Sequence, residues 1–189
     1  MKPLVLLGIT LMLLGESLLA DEEFKLETNF ARLDTGKDLQ GWYGSRWNGE
    51  ATGDAKGWSV IDGAICLECD KASAHLFSKT RFSRNCVIRL EFRAAHAADS
   101  GICLHGEQFQ VRDYINSLPD TQRFAPHCKP PGQWNKLELD FTDGVGKIRL
   151  NGHEIVARFK LGDDAKRGLG LQREKGDFAY RRIRIREKR

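Results

Sequence analysis

The sequence predicts an all-β domain, a sandwich or jelly roll of antiparallel strands, on three observations. Beyond the first twenty residues almost nothing has the apolar period of a helix; eleven short runs instead alternate apolar and polar residues or are continuously apolar. Those runs are separated by Gly, Asp and Asn, the residues of turns. Three separators are Asp62-Gly63, Asp143-Gly144 and Asn151-Gly152, dipeptides that accept the positive φ of a two-residue hairpin.

In chain order, residues 57–62 and 64–69 form the first hairpin, around Asp62-Gly63, and 74–79 is a short apolar strand. Residues 86–94, 101–106 and 108–113 alternate. Phe92, Ile102, Leu104, Phe109 and Val111 fall on the apolar parity, and Glu91, Arg93, His105, Gln110 and Arg112 on the polar one. The stretch 115–132, with four prolines, is the one long loop, and such loops on β scaffolds often border sites. Residues 134–142, 146–151 and 153–159 follow as strands joined by the other two hairpin turns, and 168–174 and 178–187 close the chain. In the last run Phe178 and Tyr180 share one parity while Ile183 and Ile185 share the other, so a bulge near Arg181 is expected to turn all four inward.

The first twenty residues read as a secretory signal peptide: Lys2 precedes an apolar run that Ala20 closes before three acidic residues. The run breaks at Gly15-Glu16, short of the roughly 20 residues a spanning helix requires. The expectation is therefore cleavage after Ala20, export to the periplasm or the exterior, one domain over 21–189, and no membrane span in the mature chain. The net charge of +4 is concentrated in the last nine residues, which carry six positive charges and one negative, so the body sums to −1. Ile183 and Ile185 alternate with arginines there, as in a strand with a wet face, which speaks against nucleic acid as partner. Five cysteines behind an export signal leave room for one or two disulfides, with pairing open and at least one thiol unpaired within a monomer. Cys66 and Cys69 have the spacing of half a zinc site, but no second pair follows, and no metal ligand set is expected.

Ordered motifs along most of the chain resemble one family. These are "FARLDTGKDLQGW", "WSVIDGAI", "LFSKTRFSRNCVIRLEFR", "DSGICLHG", "FQVRDY", "PPGQWNKLELDF", "IRLNGHEIV" and "GLGLQREKGDFAYRRIRI". Together they are similar to the 3-keto-disaccharide hydrolase domain family. The resemblance implies a concanavalin A-like jelly-roll β-sandwich of two curved antiparallel sheets, with sugar bound across the concave face. It also implies cleavage of glycosides oxidised at carbon 3, by net hydrolysis or by elimination and hydration. The chain departs from the family pattern at Asp99, His105, Arg173 and Arg182, and its central loop is short.

A ketone at carbon 3 acidifies the proton on carbon 2, so the glycosidic oxygen on carbon 1 can leave through an enolate, given a base, an oxyanion stabiliser and an acid. Direct displacement needs two opposed carboxylates and an oxocarbenium-like transition state, which the ketone disfavours. With the polar parity facing one trough, Glu91 is the expected acting carboxylate, Arg93 the oxyanion stabiliser and His105 the proton-transfer group. Ser100, Gln110 and Gln172 are expected to bind hydroxyls, Asp113 to enter the trough or brace an arginine, and Trp134 to stack on a sugar ring. No cofactor is expected, and a structural calcium in an acidic loop stays open because no compact ligand run identifies one. The expected partner is carbohydrate. A non-catalytic carbohydrate-binding module on the same jelly roll is the alternative function.

Overall fold

The computed structural model describes residues 24–48, 50–117, 119–164 and 167–189. The expected signal peptide lies outside them. Among the described residues thirteen strands follow one another: β1 (Ala31–Arg32), β2 (Trp42–Ser45), β3 (Trp58–Ile61), β4 (Ala64–Leu67), β5 (His75–Ser78), β6 (Cys86–Ala94), β7 (Asp99–Leu104), β8 (Glu107–Arg112), β9 (Asn135–Thr142), β10 (Val145–Leu150), β11 (His153–Lys160), β12 (Gly170–Leu171) and β13 (Phe178–Glu187). All eleven expected runs contain a strand. The two additional strands, β1 and β2, are short, and β2 includes Gly44. The proline-rich loop holds a single helical turn, α1 (Pro119–Gln122), and a 3-10 turn over Ala125–His127.

The strands form two curved antiparallel sheets, a concanavalin A-like jelly-roll sandwich. One has the order β11-β10-β9-β6-β13-β4-β3, with β1 also pairing β13; the other is β2-β5-β12-β7-β8. Four two-residue hairpins, at Asp62-Gly63, His105-Gly106, Asp143-Gly144 and Asn151-Gly152, have positive φ at both central residues. That is the turn whose twist suits paired strands.

Between the sheets lies the apolar parity: Ile88, Leu90, Phe92, Leu137, Leu139, Phe141, Ile148, Tyr180 and Ile183 from one, Leu76, Ile102, Leu104, Val111 and Leu171 from the other. Burying side chains of this size stabilises the sandwich by about 1.5–3 kcal/mol each. The expected bulge in β13 is present, because Arg181 pairs with Glu91 and Arg184 with Arg89, so that Arg182 and Ile183 together oppose Leu90. Arg182 takes φ 55° there, and the Arg182 and Ile183 amides donate to the buried Asp34 carboxylate at 2.9 and 3.1 Å. Phe178, Tyr180, Ile183 and Ile185 all point inward as a result.

The disulfides that the sequence leaves possible are not formed: Cys66, Cys69, Cys86, Cys103 and Cys128 are all free thiols. Alternation along the strands separates three of them, with Cys86 in the core, Cys66 off that parity on β4, and Cys103 on the outer face of the five-stranded sheet. No helix among the described residues is long and apolar enough to cross a membrane.

Candidate functional site

Antiparallel pairing fixes which outward side chains adjoin on the five-stranded sheet. One row across it runs Tyr43, Phe77, Gly170, Cys103, Gln108. The next runs Ser45, His75, Gln172, Gly101, Gln110, with the Gln172 amide donating to the Gly101 carbonyl at 2.9 Å. A third holds Asp99 opposite Arg112.

Gly101 and Gly170 leave the middle of this face without side chains, and the glutamine amides lie over that gap. A Cβ on Gly101 would sit 2.5 Å from Gln108 Nε2 and 2.7 Å from Gln172 Oε1. Gln108 Nε2 donates to Gln110 Oε1 at 2.7 Å and to Gln172 Oε1 at 2.6 Å. Gln110 Nε2 donates to Asp99, which Arg112 also holds at 2.9 Å, and Gln172 Nε2 donates to Glu174 Oε2 at 3.0 Å. Two carboxylates, being acceptors only, thus set the direction of three amides.

What remains unused defines the face chemically. Each amide nitrogen has two hydrogens, so Gln110 and Gln172 each keep one N–H, Gln108 keeps its carbonyl oxygen, and exposed Glu174 keeps Oε1. His75 Nδ1 accepts the Arg173 amide at 3.0 Å, which puts the proton of the neutral ring on Nε2. Burial, then the Arg173 charge, hold His75 below the ordinary histidine range. Trp47, 42% exposed, meets the His75 ring edge-on with centroids 5.2 Å apart and forms an aromatic rim.

The expectation that all the polar candidates meet in one trough is corrected. Gln110 and Gln172 adjoin as described. Glu91, Arg93 and Trp134 stand on the outer face of the other sheet, because β6 pairs with β9 and β13 rather than with β7. There Glu91 is 6% exposed, and its two oxygens accept Arg181 Nε at 2.8 Å and Arg182 Nη1 at 3.0 Å. The guanidinium carbons of Arg93 and Arg181 lie 4.8 and 4.0 Å from the Trp134 ring centroid, occupying the π surface a sugar would need.

Ser100 points into the core. Its hydroxyl donates to the Gln172 carbonyl at 2.6 Å and so accepts from Tyr180 at 2.5 Å, which steadies the strand beneath Gln172 without reaching the surface. Asp113 is buried and organises the loops at the sheet end, accepting the Ala97 amide at 2.9 Å and Asn116 Nδ2 at 2.8 Å. His105 belongs to the β7–β8 turn, with φ 47° and its ring packed edge-on against Phe82. It is 3% exposed, both ring nitrogens lack a hydrogen-bond partner among the described residues, and burial depresses its pKa. The sequence reading missed His75, Trp47 and Glu174 as site residues. Alternation could have found His75, one residue from Leu76, and Glu174, two from Gln172.

Residues 29–186 match the model of the 3-keto-alpha-glucoside-1,2-lyase-like domain. The chain belongs to that family. The fold is shared with several solved structures. A candidate glycosyl hydrolase from Parabacteroides distasonis superposes with a TM-score of 0.69 at 22% identity, covering 85% of this chain and 94% of that one. A second from the same organism gives 0.61 at 16% identity, covering 84% and 99%. A Bacillus subtilis protein of unknown function with a galectin-like fold gives 0.54 at 11% identity, covering 79% and 90%. No curated protein matches the chain significantly in sequence. For this lyase-like domain, the likeness to the solved structures speaks for the jelly roll, and membership of the family for a glycoside-related activity. Among the described residues no group of three or more His, Cys, Asp or Glu is arranged to hold a metal ion.

Proposed function

We propose that the outer face of the five-stranded sheet binds a glycoside carrying a ketone at carbon 3 and cleaves it by elimination. One observation carries the reading: within a chain of this family, a carboxylate with an unused oxygen, Glu174, adjoins amides that hold spare N–H donors. Glu174 Oε1 removes the proton on carbon 2, and the N–H groups of Gln110 and Gln172 stabilise the negative charge that moves to the ketone oxygen. The carbon 1–oxygen bond then breaks, a carbon 1–carbon 2 double bond forms, and the protonated Glu174 returns its proton to the departing oxygen. Water adding at carbon 1 makes the sum a hydrolysis. The amides are pre-aimed by Asp99 and Glu174, so little reorganisation is needed when the charge develops. Trp47 offers an exposed ring at the rim for an adjoining sugar.

The decisive assay is product release from a 3-keto-glucoside. Glu174→Gln should lower turnover by about 10²-fold or more, the range for losing a general base. Unchanged turnover in that variant would overturn the assignment.

A second reading has its own observation: Asp99, the other carboxylate of the face, is spent on Arg112 and Gln110. A sugar-binding trough without catalysis fits that state, and would appear as saturable binding of the oligosaccharide with no product. Export is part of the proposal. The mature protein should begin at Asp21, which N-terminal sequencing of material from outside the cytoplasm checks.

A further inference from the structure

The outer face of the eight-stranded sheet carries a groove of about 440 Å3, on the side of the sandwich opposite the glutamine platform. Its floor is β6, β9 and β13, and the segment beginning at Phe24 forms one wall. The lining includes Lys25, Arg89, Lys136, Arg149, Arg182 and Arg184 against three carboxylates, Glu27, Glu91 and Glu138, a surplus of three positive charges.

Each carboxylate is already divided between two guanidiniums. Glu27 takes Arg184 at 2.5 and 2.6 Å and Arg89 at 3.3 Å. Glu138 takes Arg89 at 2.8 Å and Arg149 at 2.6 Å, and Glu91 takes Arg181 and Arg182. The hydrogen-bonded Arg184 guanidinium holds the Glu27 carboxyl down at about 2, against the opposing effect of burial. Glu27 therefore stays ionised, and the surplus persists, through the neutral and mildly acidic range.

Donors remain after these pairs are made. Arg89 Nη2 and Arg149 Nε and Nη2 carry no hydrogen bond among the described residues, and neither Lys25 nor Lys136 makes an ion pair there. Arg89 and Arg149 are half-buried and Lys25 and Lys136 exposed, and an entering anion relieves the mutual repulsion of these neighbouring cations. Planar guanidinium forks match the oxygens of phosphate, while an ammonium adds a point charge.

We propose that this groove is an anion site for a phosphate group, free or esterified to a sugar, recognised by Lys136, Arg149 and Arg89. The site does not depend on the catalytic reading of the opposite face.

Calorimetry at low ionic strength tests it, with inorganic phosphate, glucose 6-phosphate and uncharged glucose as probes. Binding of a phosphate probe is expected to weaken at least about tenfold in Lys136→Glu and with added salt, and to be unchanged in Glu174→Gln. The milder Lys136→Gln, at an exposed position, repeats the test without reversing the charge. If inorganic phosphate suffices, the anion alone is recognised; if only glucose 6-phosphate binds, the sugar contacts the walls; either result supports the site. The proposal is overturned by absence of heat with both phosphates, by equal binding of glucose, by undiminished affinity in both Lys136 variants, or by loss of binding in Glu174→Gln.

Discussion

Glu91 and Glu174 show how one residue type takes opposite duties according to what meets its oxygens. Glu91 spends both on half-buried arginines, so its removal leaves charge stranded beneath the surface. Glu91→Gln is expected to lower unfolding stability by about 3 kcal/mol, the scale for breaking a buried pair, while folded protein retains its chemistry on the other face. Urea titration together with the product assay separates this from Glu174→Gln, which should do the reverse. His105 yields a pH prediction. Its folded pKa lies below the unfolded value near 6.5, so between the two the unfolded chain holds more protons and stability falls as pH drops below about 6.5. The decline ends once pH passes the folded value. The Arg84 charge deepens the depression and Asp164 opposes it, and His75 is depressed as well, so each histidine contributes part of the slope. In His105→Asn, which tolerates positive φ, the difference in stability between pH 5 and 7.5 should shrink.

At the scale of elements, alternation located the strands and the face of each residue within its own strand. Eleven expected runs hold strands, and the bulge in β13 sits one residue from where Phe178, Tyr180, Ile183 and Ile185 placed it. Alternation does not say which sheet a strand joins. β6 and β7 are consecutive yet lie in different layers, so Glu91 and Arg93 share a polar parity with Gln110 and not a surface. His105 was read as the next outward residue of a strand, whereas the chain turns there with positive φ and tucks the ring under Phe82. His-Gly carries a weaker hairpin signal than the Asp-Gly and Asn-Gly pairs that were recognised. Two substitutions probe the elements themselves. Gly101→Ala should keep the fold, since the added carbon meets only glutamine side-chain ends, but should disperse the amides and weaken sugar binding, measurable by calorimetry. Asp34→Ala strips the acceptor from two amides at the bulge and should cost about 3 kcal/mol in urea unfolding.

For the whole molecule, burial pushes the Cys86 and Cys103 thiols up to about 12, so both should resist alkylation until the protein unfolds. Denatured protein should titrate five thiols without reductant; a lower count would reveal a disulfide. The motif order along the sequence made the fold and family legible from end to end, whereas the site depended on which layer each strand joined. One detail of β13 governs how the two halves of that strand are read. Its first half is flanked by β4 and its second by β1, and the extra residue at the bulge shifts the phase between them. The strand is in effect written in two reading frames. That shift is what lets Arg181 and Arg182, neighbours in sequence, grip the same carboxylate. Removing Arg182 would merge the two frames into one, in which Phe178, Tyr180, Ile183 and Ile185 still face inward by plain alternation, at the loss of one arm of the grip on Glu91. A deletion there should therefore disturb the core far less than a deletion within the second half of the strand, such as that of Arg184, which would turn Ile185 toward water.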